Sequence, residues 1–184
     1  MENSSYIITT ERLGLRRWVE SDHAPVIEMN RDPAVMQFFP KPLTPEETMG
    51  SIGRITLSFE RNGYGLFIVE KRATREFIGV TGFTRPTFES FFTPCVEIGW
   101  RFRKEAWGNG YATEAALACL DYGFQTLHLD RILSFTAILN TRSEKVMQRI
   151  GLTKIGEFDH PNIDPAHALY RHVVYGLEKP EARE

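Results

Sequence analysis

Cysteine is scarce, occurring only at positions 95 and 119, and the two are too far apart to suggest a ligand pair. A disulfide framework, a zinc site and a dithiol redox centre are therefore excluded as organising features, and two idle thiols in a reducing compartment are the simplest reading. Long apolar runs are missing too, none approaching the roughly 20 residues that span a bilayer. Met1–Thr10 lacks the basic patch and apolar stretch of a signal peptide, so a cytoplasmic location is expected. An excess of one charge is absent: 22 basic against 24 acidic residues leave a formal charge of −2. That is too little positive charge for nonspecific nucleic-acid binding. Repeats, low-complexity tracts and linkers are not found, so residues 5–178 are expected to form one domain. The charged stretch 179–184 is expected to be a frayed tail. With 184 residues the chain can bury one substantial core but barely two.

What is present is a clear alternation of patterns. Leu13-Gly14-Leu15-Arg16-Arg17-Trp18 places leucines at alternate positions, as a strand does. Ser21 is expected to cap a helix running to about Asn30. Thr44-Pro45-Glu46-Glu47 predicts a second helix, because a threonine cap, an early proline and a glutamate three residues on satisfy orphan backbone donors. Asn62-Gly63 should end it in the left-handed conformation. Leu66–Lys71 and Phe77–Thr84, separated by a polar turn, predict a hairpin, and Val96–Phe102 a further strand. Apolar residues at 116, 117, 120, 124 and 127 predict a helix over 112–127. A strand at 132–138, a helix at 143–150 closed by Gly151, and strands at 152–158 and 169–177 complete the chain. The strand-helix-strand unit in the second half implies a right-handed crossover and a parallel pair inside a mixed sheet. Where parallel strands diverge, a ligand cleft opens.

The most informative stretch is Trp107-Gly108-Asn109-Gly110-Tyr111-Ala112-Thr113-Glu114, between a strand and a helix. Small residues at 108, 110 and 112 let the backbone approach a bulky anion. Free N–H groups and the helix dipole at the helix start favour a pyrophosphate. The lysine of an NTPase loop and the acidic ribose contact of a dinucleotide fold are both missing.

Here the sequence resembles the GNAT superfamily of N-acetyltransferases, and more narrowly its RimJ/RimL-like branch. The superfamily's Gln/Arg-x-x-Gly-x-Gly/Ala loop falls on Trp107, Gly110 and Ala112, with the tryptophan that is usual in this branch at the first position. Thr10–Arg16 looks like the branch's opening strand and Val96–Arg101 like its central strand. Asn140-Thr141-Arg142-Ser143 with Gly151-Leu152 looks like its second coenzyme-side element. The resemblance implies a single α/β (α+β) domain: a mixed, mostly antiparallel sheet flanked by helices, with a splayed parallel strand pair forming an acetyl-CoA cleft. It implies that acetyl-CoA is held by Trp107, Gly108, Asn109, Gly110, Tyr111, Ala112 and Thr113. The strand Trp100–Phe102 would pair with the pantetheine arm. Asn140 is either a cap or a coenzyme contact, or both.

Acetyl transfer to an amine needs a neutral amine, a polarised thioester carbonyl and a proton for the departing thiolate. Many relatives place an acidic tyrosine seven residues after the asparagine, but Met147 stands here. Ser143 is the nearest hydroxyl, as the acid or as a helix cap. Glu97 is the candidate base or a structural carboxylate, with His160 or ordered water as substitutes. Arg101, Arg103, Lys104, Arg142 and Lys145 are coenzyme-phosphate contacts or solvated charges. His160, His167 and His172 lack a second ligand cluster, so no metal is expected. Phe38, Phe39, Phe88, Phe91 and Phe92 are core plugs, a dimer contact or an acceptor wall. The expected activity is direct transfer of acetyl to a primary amine, on a protein N-terminus or a small molecule, in a ternary complex. The partners are acetyl-CoA and that amine, with no nucleic acid or membrane, in a monomer or homodimer. The alternative is a noncatalytic acyl-CoA-binding or sensing domain.

Overall fold

The computed structural model describes residues 5–180; the last four residues of the expected tail, 181–184, lie outside the described residues. Within that span the elements run β1 (Ile8–Thr9), β2 (Leu13–Arg16), α1 (His23–Arg31), α2 (Pro45–Asn62), β3 (Leu66–Lys71), β4 (Phe77–Thr84) and β5 (Glu97–Phe102). They continue as α3 (Tyr111–Gln125), β6 (Arg131–Ala137), α4 (Thr141–Arg149), β7 (Thr153–Asp159) and β8 (Arg171–Glu178). The strands form one sheet in the order β1-β2-β3-β4-β5-β6-β8-β7. Every neighbouring pair is antiparallel except β5 and β6, which are parallel and share a single register pair, Glu97 with Leu133. The mixed, mostly antiparallel sheet with a splayed parallel pair is thus as the sequence implies.

Local chemistry explains most element ends. Glu47 N–H donates to Thr44 Oγ1 at 3.2 Å while Thr44 N–H donates to Glu47 Oε2 at 2.9 Å, closing the expected capping box of α2. Gly63, at φ 78°, ends that helix in the left-handed region. The helix expected from Ser21 starts later. Glu20–Asp22 form a 3-10 turn and α1 begins at His23. The Asp22 carboxylate accepts from Val19 N–H at 2.8 Å and from both Arg16 terminal nitrogens at 2.7 and 2.8 Å. A charged acceptor serving three donors outcompetes one serine hydroxyl for the turn's polar groups.

The main core packs α3 and parts of α2 and α4 against the sheet, through residues such as Phe67, Phe83, Ile98, Ala116, Cys119, Ile132, Met147 and Tyr175. In α3 the buried stripe is Ala115, Ala116, Cys119, Leu120, Gly123 and Phe124. Leu117, expected in that stripe, is exposed. Gly123 is required by close approach: a Cβ there would meet Ile132 Cδ1 at 2.8 Å and Phe83 Cζ at 2.9 Å. On the opposite face, α1 and the following loop place Val26, Met29, Val35 and Met36 on Ile68, Phe77 and Val80. A third cluster joins Phe92 to Leu133, Phe158 and Val174. Among the described residues no helix is long and apolar enough to cross a membrane.

Candidate active site

The loop before α3 has the backbone its glycines allow. Gly108 and Gly110 sit at φ 78° and 77°, in the left-handed region that favours glycine. A Cβ at Gly108 would meet nothing within 4 Å, so open space lies over the loop. The first helical bond runs from Glu114 N–H to Gly110 O at 3.0 Å, and Gly110, the N-cap residue, has no side chain with which to cap α3. The N–H groups of Tyr111, Ala112 and Thr113 are therefore the helix's orphan donors, carrying the positive end of its dipole. Asn109 shapes the turn by donating Nδ2 to Ala106 O and Trp107 O, at 3.2 and 3.0 Å. Trp107 is fixed by its Nε1–H bond to Phe102 O at 3.0 Å, with the Arg142 guanidinium 5.0 Å above its ring. Behind the loop, Glu114 accepts from Thr10 Oγ1 at 2.6 Å and from Arg12 Nε at 2.7 Å, tying the helix start to the β1–β2 turn.

A cleft of about 650 Å³ brings this loop together with Trp100, Arg101, Phe102, Asn140, Ser143 and, from the α1–α2 loop, Phe38 and Phe39. Arg142, Lys145 and Arg149 add positive charge to its wall. Of the basic candidates, Arg103 pairs instead with Glu28 at 3.0 Å, and it lines a separate groove beside α1 with Lys104.

Strand β5 divides its chemistry between two faces. Ile98, Trp100 and Phe102 pack on the core under α3, so alternation turns Glu97, Gly99 and Arg101 to the opposite face. A Cβ at Gly99 would meet nothing within 4 Å, which leaves a gap between the two charged residues. Glu97 lies where β5 and β6 part, as the β5 member of their one shared register pair. Thr84 Oγ1 donates to its Oε2 at 2.9 Å. Burial pushes its carboxyl up to about 7, the Thr84 bond opposing only in part. A carboxylate there can both hold and release a proton near neutrality.

On the far side of the parting strands, Asn140 caps α4. Its Oδ1 accepts from Ser143 N–H at 3.3 Å, and its Nδ2 donates to Thr136 Oγ1 and to Ser143 Oγ, each at 3.0 Å. The amide is fully engaged in shaping the strand-to-helix turn. Since Ser143 Oγ accepts from Asn140, its own proton is free to point elsewhere. Met147 is buried in the main core, so it presents nothing to the cleft.

The sequence matches the Acetyltransferase (GNAT) domain family over residues 12–153. The chain belongs to the GNAT acetyltransferase family. It is 30% identical to the uncharacterized N-acetyltransferase YnaD of Bacillus subtilis (strain 168) over 151 residues, covering 82% of this chain and 85% of that protein. The GNAT-family acetyltransferase crystal structure from Bacillus anthracis is similar at a TM-score of 0.75 and 29% identity, covering 94% of this chain and 98% of that one. RimL, a ribosomal L7/L12 α-N-protein acetyltransferase solved with coenzyme A, shares the fold at a TM-score of 0.77 and 18% identity, over 95% of this chain and 98% of its own.

Other side chains of this acetyltransferase fall outside the cleft or were silent in its sequence. The rings of His160 and His172 lie 4.9 Å apart, tilted by 47°, inside an aromatic cluster with Phe88, Phe135 and Phe158. Burial lowers both histidines, His172 to about 4, so both are neutral at physiological pH. His167 lies apart, its Nδ1 accepting from Leu169 N–H at 3.0 Å. Of the five loop aromatics, Phe88 and Phe92 join this cluster, Phe38 and Phe39 line the cleft, and Phe91 is 65% exposed. Asn30 is the residue that sequence reasoning missed. It is buried in α1 and accepts from Arg101 Nη1 at 2.7 Å. No local motif announces that contact, because 71 residues separate its two ends.

Proposed function

We propose that this acetyltransferase transfers acetyl directly from acetyl-CoA to a primary amine within a ternary complex. The observation that carries this reading is Glu97: a carboxyl raised to about 7, set where two parallel strands part. Trp107, Gly108, Asn109, Gly110, Tyr111, Ala112 and Thr113 hold the pyrophosphate, chiefly through the orphan N–H groups of α3. The backbone of Trp100–Phe102 receives the pantetheine arm along the edge that β6 leaves unpaired. Asn140 holds Ser143 in place. Glu97 takes a proton from the ammonium, directly or through water, and the freed nitrogen attacks the thioester carbon. A C–N bond forms, the C–S bond breaks, and the Ser143 hydroxyl gives its proton to the departing sulfur. The second proton lost by nitrogen restores the serine, and the first leaves Glu97 for solvent.

Neither cysteine supports a covalent acetyl-enzyme. Burial pushes Cys119 up to about 12 and Cys95 up to about 11, which leaves both as thiols at neutral pH. A noncatalytic acyl-CoA sensor is the rival suggested by the missing tyrosine. Amine-dependent release of coenzyme thiol, with the acetylated product identified by mass spectrometry, tests the proposal. Initial-rate lines that intersect support the ternary complex. Parallel lines overturn it, and acetyl-CoA binding with no release for any amine favours the sensor. Proteins of the same fold are named for very different acceptors, a ribosomal-protein N-terminus for RimL and spermidine for an enzyme of Vibrio cholerae. The acceptor here must be read from this chain's own cleft.

A further inference from the structure

Arg16, which is buried, and Arg101, which is half-buried, are held in different ways. Arg16 has its charge met by two carboxylates, Asp22 at 2.7 Å and Glu70, which also accepts from its Nε at 2.8 Å. Arg101 has none. Its Nη1 donates to the neutral amide oxygen of Asn30 at 2.7 Å, and its guanidinium lies 4.3 Å from the centre of the Phe39 ring. Its Nε is sealed from solvent without a hydrogen-bond partner. The residue is half-buried and opens onto the cleft. Burial with no compensating carboxylate lowers its pKa to about 10. A guanidinium so placed is destabilised unless an anion completes the site.

The position is also held from behind. Asn30 Nδ2 donates to Thr48 Oγ1 at 3.4 Å, so α1 and α2 together fix the amide that aims Arg101. Arg101 shares the outer face of β5 with Gly99 and Glu97, opposite Trp100 and Phe102. Gly99 leaves open space between them, and each charged residue stands roughly 7 Å along the strand from it.

Resting on the amine transfer proposed above, we infer that the acceptor is a small amine that also carries a carboxylate, with Arg101 binding that carboxylate while the amine lies toward Glu97. The planar fork of arginine suits a carboxylate in two-point contact, and the gap over Gly99 admits a short linker. Arg101 is a specificity determinant in this scheme, and Asn30 positions it.

The test compares kcat/KM for amino acids of increasing length, from glycine to 6-aminohexanoate, with the alkylamine matching each in length. The unmodified protein should favour at least one amino acid over its alkylamine by about 10- to 150-fold, the range set by a hydrogen bond to a charged group. Arg101→Gln should bring that ratio near one without weakening acetyl-CoA affinity by calorimetry. Asn30→Asp offers a second route that keeps the arginine and its packing: an internal carboxylate occupies the guanidinium, raising the melting temperature while the ratio collapses. Equal use of charged and uncharged amines by the unmodified protein overturns the inference, as does a ratio that survives both variants. Loss of acetyl-CoA binding in Arg101→Gln overturns it by assigning the arginine to the coenzyme. Failure to acetylate any amine while acetyl-CoA still binds defeats the transfer reaction itself, and this inference with it.

Discussion

Glu97 and Ser143 stand on opposite sides of the parting strands, and their hydrogen bonds make separable predictions. With its carboxyl raised to about 7, Glu97 is largely protonated below neutrality and becomes an effective base as pH rises through 7. The acidic limb of kcat/KM should therefore lie near pH 7. Glu97→Gln should lower turnover at neutral pH by about 10²- to 10⁴-fold and shift that limb upward, where free amine becomes available without help. The stability effect has the opposite sign. The folded protein binds more protons than the unfolded chain between the ordinary glutamate range and pH 7, so Glu97 makes stability fall as pH rises through that window. At pH 8, Glu97→Gln should melt no lower than the unmodified protein. A variant that melts lower and keeps its rate would mark Glu97 as structural. For Ser143 the cap oxygen belongs to Asn140, which accepts from the Ser143 backbone N–H, and the Ser143 hydroxyl accepts one bond from the Asn140 amide in return. Ser143→Ala should accordingly cut turnover while costing no more than about 1 kcal/mol, the worth of that one bond. Asn140→Ala should cost about 1 kcal/mol through the lost cap. A loss of stability with unchanged turnover in Ser143→Ala would give the hydroxyl a capping role instead.

The loop before α3 and the start of α2 show what kinds of information a sequence carries. Thr44, Pro45, Glu47 and Gly63 satisfy their own neighbours, so α2 was legible end to end. Gly108, Gly110 and Ala112 were legible for the same reason, since left-handed backbone at 108 and 110 is a local demand. Ser21 misled because Asp22 is drawn to Arg16 and to Glu70's partner network, contacts that the local pattern does not contain. Arg101 was visible as a basic residue, but its isolation from carboxylates depends on where α1 and α2 come to rest. Gly110→Val tests the loop as an element. A β-branched residue at φ 77° is strained by more than the ~1–2 kcal/mol ordinary for the left-handed region, and its methyls would stand beside the orphan N–H groups. Acetyl-CoA affinity by calorimetry should fall at least about tenfold while circular dichroism stays near that of the unmodified protein. Unchanged affinity would remove the loop from the coenzyme site.

Across the whole molecule, the buried Arg16 joins β2, β3 and the turn before α1, and these ties span up to 54 residues of sequence. Burial works against its charge, but bonds to Asp22 and Glu70 win and hold its pKa above the ordinary value. Asp22→Ala would strand half of that network, and should cost about 3–5 kcal/mol in urea unfolding. A loss below 1 kcal/mol would mean that water replaces the aspartate. The sheet as a whole is less continuous than its eight strands suggest. β1–β5 and β6–β8 are two laddered plates spliced by one rung at Glu97 and Leu133, with Leu133 N–H donating to Val96 O at 2.9 Å. A pantetheine arm seated along β5 would act as a splint across that splice. In amide hydrogen exchange, the edge of β5 facing β6 should slow on adding acetyl-CoA far more than the edge facing β4, making the cosubstrate a mechanical part of the enzyme for as long as it stays bound.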